Sequence, residues 1–123
     1  MKLKDSLYSI TCQMIDGTHQ QYDILLNKEH FIYKAHFPDE PVTPGVCILQ
    51  IGKELVEDIL QRRLEIKHVK NVKFLSVISP ETTPQITYHI ECGATSDERE
   101  AWNVKILVVC GETPLAKISM TLA

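Results

Sequence analysis

A chain of 123 residues, 44% of them hydrophobic, is long enough to bury a core, and we expect one domain over residues 1–123. Its formal net charge of -3 disfavours nucleic acid and anionic membranes as partners, because both reward a concentrated basic surface. No run of about 18 apolar residues is present to cross a bilayer, and no signal-peptide core follows the first residues, so we expect a cytoplasmic protein.

The first elements are predicted to be two strands joined by a turn. Ile10, Cys12 and Met14 alternate with polar residues, Asp16-Gly17 is a turn signal, and the alternation resumes over residues 22–26. A period of two is typical of a strand with one buried face. The sequence therefore predicts a β-hairpin. The widely spaced cysteines, which form no Cys-x-x-Cys, are predicted to be buried free thiols: Cys12, Cys47, Cys92 and Cys110.

One long helix is predicted from Thr43 to about Arg63. Thr43 is the expected N-cap, and Pro44 suits the first helical position, where its missing N–H costs nothing. Residues 46–52 are apolar nearly all round, whereas the second half confines its apolar residues to one side. We therefore expect other elements to surround the beginning of this helix.

The rest of the chain is predicted to form about four more strands. Residues 69–78 read as a strand, and clear alternation marks residues 86–92, 102–108 and 116–122, with a turn at 111–114. An α+β fold, with an antiparallel sheet wrapped around one central helix, fits this order. Gly52 would allow neighbouring backbone to approach the helix closely.

The loop that enters the helix carries the most specific signal, with the sequence His36-Phe37-Pro38-Asp39-Glu40-Pro41-Val42-Thr43-Pro44-Gly45-Val46. Its prolines fix backbone angles and would hold His36 beside the helix start. Gly45 has no side chain, so the first helical N–H groups would stay open to a carbonyl oxygen. The positive end of the helix favours negative charge at that point.

This stretch resembles the His-Phe-Pro-Gly-x-Pro-Val-x-Pro-Gly-Val signature of FabZ- and FabA-type 3-hydroxyacyl carrier-protein dehydratases, with agreement at eight of the nine specified positions. The resemblance implies a hot-dog domain that removes water from a 3-hydroxyacyl thioester, without a cofactor. It implies that His36 takes the C2 proton and that the Gly45 N–H meets the thioester oxygen. Phe37 and Val46 are assigned to substrate binding.

Two residues of the predicted helix depart from the family pattern. The family has Glu or Asp where this chain has Gln50, and commonly Gln one turn later, where this chain has Glu54. A carboxamide can hydrogen-bond a hydroxyl but cannot transfer its proton. We therefore predict that Gln50 binds substrate and that Glu54 is the catalytic proton donor. The alternative is a solvated polar pair or a dimer contact.

The resemblance also implies partners. The thioester would be carried by acyl carrier protein or coenzyme A, and the open edge of a small sheet predicts a homodimer or a higher homo-oligomer. A local basic run could receive the acidic surface of the carrier, or be an ordinary solvated surface: Arg62, Arg63, Lys67, Lys70 and Lys73.

Other readings of the same residues stay open. Cys47 could be an activated thiolate near the helix start, although apolar packing is favoured. His19, His30, His68 and His89 lack metal-ligand spacing, so no metal site is predicted. A hot-dog thioesterase, with Glu54 directing water, is one alternative function. A non-catalytic acyl-binding partner subunit, suggested by Gln50, is another.

Overall fold

The computed structural model describes residues 2–35, 39–95 and 101–123. Strands β1 (Tyr8–Asp16) and β2 (His19–Leu26) come first, followed by a short helix α1 (Phe31–Ala35) and the long helix α2 (Gly45–Leu60). The strands after α2 are β3 (Ile66–Phe74), β4 (Gln85–Ala94), β5 (Trp102–Cys110) and β6 (Thr113–Leu122). The sequence did not predict α1, which is too short to show a helical period.

The described strands form one antiparallel sheet in the order β1-β2-β4-β5-β6-β3. Short connections place β4, β5 and β6 side by side, because antiparallel neighbours can be joined by tight turns. Strand β3 pairs with β6, so β1 and β3 are the two edges of the sheet. The predicted antiparallel sheet with a central helix is confirmed.

Alternation along the strands puts one face of the sheet, called the inner face here, against α2. The residues that it buries include Tyr22, Ile24, Ile86, Tyr88, Ile90, Val104, Ile106, Val108, Ile118, Met120 and Leu122. Helix α2 contributes Cys47, Ile48, Ile51, Leu55 and Val56. The Tyr88 hydroxyl donates to the carbonyl of Ile48 at 2.9 Å, which fixes the helix on the sheet. The period-two signal thus identified this core correctly.

Helix α2 packs closely on the sheet at Gly52. A Cβ added there would lie 2.8 Å from Cδ1 of Ile106, 3.6 Å from Cε of Met120 and 3.7 Å from Cε2 of Tyr88. The predicted close approach is therefore made by side chains of three strands, and not by backbone.

The prediction for β1 is wrong beyond Ile10. Its register with β2 shifts between Ile10 and Cys12, which is a β-bulge. One extra residue moves all later side chains to the other face of the sheet. Cys12 and Met14 therefore do not share the face of Ile10, and residues 11–16 of β1 are exposed on both faces, with Met14 55% and Ile15 66% exposed. Of the other cysteines, Cys47 is buried, whereas Cys92 and Cys110 are half-buried.

The helix boundaries also differ from the prediction. Pro44 is the N-cap of α2, and no side chain caps it. The Thr43 hydroxyl instead shares a 2.9 Å hydrogen bond with Tyr33, and its N–H donates to the carbonyl of Ile78. At the other end, Gln61 is left-handed, with φ 54°, and stops the helix before Arg63. Strand β3 begins three residues earlier than predicted and ends at Phe74.

In residues 2–35, 39–95 and 101–123, none of the helices combines the length and the apolar character that a membrane crossing requires.

Replacing Gly52 by Val tests the helix-to-sheet contact. We expect the free energy of unfolding to fall by about 1–3 kcal/mol, because the added methyls overpack the core. The better helix propensity of Val offsets only about 0.3–0.5 kcal/mol. Urea denaturation would measure the loss. Ile106→Val removes the crowding Cδ1 atom, so it should recover part of the loss in the double variant. Equal stability of Gly52→Val and the native protein would contradict the contact.

Candidate functional site

The predicted site residues fall into two groups. His36, Phe37 and Pro38 lie outside the described residues, so the prediction that His36 stands beside the helix start remains a prediction. The others lie on α2: Gly45, Val46, Gln50 and Glu54. The structure thus describes the helix side of the candidate site.

The N-terminal end of α2 begins at Gly45, directly after the extended Pro44. The carbonyl of Pro44 accepts from the N–H groups of Cys47 at 3.0 Å and Ile48 at 3.2 Å. The N–H groups of Gly45 and Val46 take no part in those two bonds and lie at the positive end of the helix dipole. No side chain of the described residues caps the helix there. Such an end can stabilise negative charge on an oxygen.

Phe74, the last residue of β3, was not assigned to the site from the sequence. A Cβ on Gly45 would lie 2.8 Å from Cζ of Phe74, so the missing side chain makes room for this ring. A group that approaches Gly45 from this side therefore meets the Phe74 ring. No local signal in the sequence connects Phe74 with Gly45. Val46 is 64% exposed and points away from the core.

Glu54 is the most densely bonded side chain of α2. Its Oε1 accepts from the Lys4 N–H at 2.8 Å and the Tyr8 hydroxyl at 3.1 Å. Its Oε2 accepts from the Leu3 N–H at 2.8 Å and from Nε2 of Gln50 at 2.8 Å. Only 9% of the residue is exposed. Four donors suit a carboxylate that only accepts, and they attach the N-terminal segment to the helix.

The surroundings of Glu54 separate it from the helix start. It lines a groove of about 950 Å³ whose other walls include Lys4, Lys53, Asp58 and Arg63, near the C-terminal half of α2. Gln50 and Glu54 do share one side of the helix, as predicted, and they are hydrogen-bonded. The assignment of Glu54 as proton donor depends on its distance from His36, which lies outside the described residues. The contacts observed here give Glu54 an anchoring role within one chain, and because the residue is buried they do not match the solvated pair named as the alternative.

Two tyrosines support this arrangement. Burial and then the nearby Glu54 charge raise the pKa of Tyr8 far above its ordinary value, so its hydroxyl stays protonated and donates. Tyr22 behaves similarly: its hydroxyl donates to Oδ2 of Asp58 at 2.7 Å. Burial, aided by Asp58, raises the pKa of Tyr22. Glu54 and Asp58 on the second half of α2 are thus each bonded by a tyrosine from the first two strands, whereas Glu57 accepts from the N–H of Leu64.

The cysteine and histidine alternatives fare differently. Burial raises the pKa of the Cys47 thiol, which opposes an activated thiolate and agrees with apolar packing. His89 lies on the outer face of the sheet, with its Nδ1 2.9 Å from Nε2 of His19. Within the described ranges, no three His, Cys, Asp or Glu side chains converge as a metal site would require.

Comparison with known proteins gives family and fold. The model of the ApeI-like family, described as ApeI dehydratase, matches residues 12–105. The dehydratase heterocomplex ApeI:P from Xenorhabdus doucetiae is similar in structure, with a TM-score of 0.67 at 13% identity over 93% of this chain and 96% of that chain. The hot-dog fold implied by the sequence is thereby confirmed.

A second similar structure is an uncharacterized protein from Erwinia carotovora subsp. atroseptica. Its TM-score is 0.58 at 16% identity, over 90% of this chain and 89% of that chain. No curated protein matches the sequence.

Replacing Glu54 by Gln tests its role as an anchor. We expect the free energy of unfolding to fall by about 1.5–3 kcal/mol. The charge-assisted hydrogen bonds of the carboxylate are lost, and the amide group of the new Gln is a donor that faces a donor of the protein. Tyr8→Phe is the matched control, since it removes one of the four donors and should cost about 1 kcal/mol. Hydrogen exchange at Leu3 and Lys4 should become faster in Glu54→Gln. Unchanged exchange there would show that Glu54 does not hold the segment.

Proposed function

We propose, because the chain belongs to the ApeI-like dehydratase family, that it removes water from a 3-hydroxyacyl thioester to give the trans-2-enoyl thioester. The thioester would be carried by acyl carrier protein or coenzyme A. The observation that carries the proposal is the uncapped N-terminal end of α2 at Gly45, inside the motif that resembles the carrier-protein dehydratases. The reaction needs no cofactor of its own.

The chemistry follows from where charge develops. Removal of the C2 proton places enolate charge on the thioester oxygen, and a helix end with available N–H groups stabilises such charge. We assign the base to His36, whose imidazole can accept a proton near pH 7. Gly45 supplies the N–H, while Val46 and Phe37 would contact the acyl group. The ring of Phe74 limits the direction of approach.

The departing hydroxyl must receive a proton, and this is the demanding step for this chain. Gln50 is proposed as the group that binds the hydroxyl. Glu54 has both oxygens occupied by two donors each, so it can serve as proton donor only if water replaces one of those bonds. The general acid typically contributes about 10²–10⁴-fold to the rate. We therefore expect slow turnover in the isolated chain.

A second candidate function is a non-catalytic acyl-binding subunit. Two points favour it. By the resemblance, Gln50 stands where FabZ- and FabA-type dehydratases have a carboxylate, and Glu54 already accepts three bonds from residues 3–8 and one from Gln50. The similar structure from Xenorhabdus doucetiae is a heterocomplex, so a chain of this fold can work with another protein. We propose that this chain is one half of a two-chain unit.

The direct test is an assay of the pure protein with 3-hydroxyacyl and enoyl carrier-protein thioesters, resolved by mass spectrometry. Interconversion with a mass change of one water supports the dehydratase. His36→Ala should abolish it, whereas His89→Ala, which changes a histidine of the outer face, should retain it. Binding without turnover identifies the non-catalytic subunit, and release of free thiol identifies a thioesterase.

Substitutions at Gln50 and Glu54 test which of these two positions supplies the proton to the departing hydroxyl. Gln50→Glu should raise turnover by about tenfold or more, because it restores a proton-transferring group at the family position. If Glu54 is the acid, Glu54→Gln should abolish turnover while the folded fraction at the assay temperature stays high. If Gln50→Glu has no effect and Glu54→Gln acts only through stability, neither position carries the proton.

A further inference from the structure

A cavity of about 560 Å³ lies on the outer face of the sheet, opposite the inner face that packs on α2. Its lining comes from strands β2 to β6, and among the described residues none of α2 contributes to it. Cavities of this size are typical of sites for small molecules, which range from about 300 to 1,000 Å³. We call it the outer-face cavity. It is separate from the candidate site at the start of α2.

The strand register fixes how the side chains of the outer-face cavity are arranged. Leu107 of β5 stands directly opposite His89 of β4 and Lys117 of β6. Lys105 precedes Leu107 by two residues on the same face and stands opposite Ser119. Side chains that are opposite each other in a sheet lie about 4.5–5.5 Å apart at Cβ. One apolar side chain is therefore flanked by a histidine on one strand and by lysines on and beside its own strand.

The two lysines of the cavity have no partner in the described part of the chain. Lys105 and Lys117 are exposed, and no hydrogen bond or ion pair joins either of them to a described residue. Glu91 stands opposite Lys105 in the register, yet these two side chains form no ion pair. Two positive charges and one negative charge line the cavity, so its net charge is one positive charge. A ligand with a single negative charge would neutralise it.

Histidines form the opposite wall of the cavity. The Nε2 of His19 and the Nδ1 of His89 are 2.9 Å apart, so one of these two nitrogens must accept and carry no proton. Burial, and then the charge of His19, lower the pKa of His89 against a smaller opposite effect of Asp23. The His89 ring is therefore neutral near pH 7. It presents an uncharged ring beside Leu107, on the side of the cavity away from Lys117.

We propose that the outer-face cavity binds a small organic monocarboxylate. Its apolar body would lie against Leu107 and the His89 ring, and its carboxylate between Lys105 and Lys117. The hydroxyl of Ser119, opposite Lys105, can donate to the same carboxylate. A phosphate monoester fits less well, because its second negative charge has no counterpart and no arginine offers a paired donor. This inference goes beyond the proposed function and does not depend on it.

The test is an NMR titration of the isotope-labelled full chain with hydrocinnamate, which joins a phenyl group to one carboxylate. We expect saturable shifts at the amides of residues 105–107 and 117–119. The neutral amide of the same acid, hydrocinnamamide, should bind about fivefold or more weakly, because it loses the attraction of two exposed lysines. Phenyl phosphate should bind no more tightly than hydrocinnamate.

Variants separate the charged and apolar parts of the cavity. Lys105→Gln with Lys117→Gln keeps the length of both side chains and should weaken hydrocinnamate binding by about fivefold. Leu107→Thr should also weaken it, because the apolar seat is lost. The matched control is Lys2→Gln with Lys28→Gln, which changes the net charge equally at two exposed lysines outside the cavity. The control should bind as the native protein does.

Several outcomes would overturn the proposal. Shifts at Gly45 and Phe74 in place of the outer face would assign the carboxylate to the candidate site. Equal binding of the neutral amide, an equal loss in the control, or a dissociation constant above about 10 mM would remove the charge argument. Outer-face shifts that follow protein concentration, with dimers in light scattering, would assign the face to a second copy. None of these measurements uses turnover, so a failed dehydratase assay leaves them unaffected.

Discussion

The carboxylate of Glu54 holds together the two layers that cover the central helix. The sheet contacts α2 on one side, and residues 3–8 lie against it on another, with Leu3, Leu7 and Tyr8 almost fully buried. A buried carboxylate is costly unless it is well hydrogen-bonded, and four donors from three separate segments meet this need. The same bonds that satisfy Glu54 therefore fix the N-terminal segment, and the apolar residues of that segment complete the core.

This arrangement makes the two ends of α2 different. The second half is enclosed by the chain itself, with Glu54 and Asp58 each bonded by a tyrosine. The first turn is different: no side chain of the described residues caps it, and Val46 is largely exposed. Chemistry that depends on helix N–H groups can only take place at that end.

Basic residues that are close together in the sequence lie at two separate places in the folded chain. The basic stretch from Arg62 to Lys73 divides at the end of α2. Arg62 and Arg63 line the groove beside Glu54, together with lysines of the N-terminal segment. Lys70 and Lys73 lie on β3, where Lys73 stands opposite Lys117 of β6. The local sequence indicates the lysines of β3, but not their neighbour Lys117, which is distant in sequence.

The sequence by itself determined the elements whose side chains alternate between core and solvent, and the motif at the start of α2. Such patterns are local, since burial of one face imposes a period on neighbouring residues. Only the tertiary structure decided the rest. A bulge in β1 turns Cys12 away from the face of Ile10, and this bulge is a feature of the pairing between β1 and β2. Thr43 bonds to Tyr33 instead of capping α2. Glu54 finds its main partners 46 to 51 residues away, and no periodicity along the chain encodes contacts between segments so far apart.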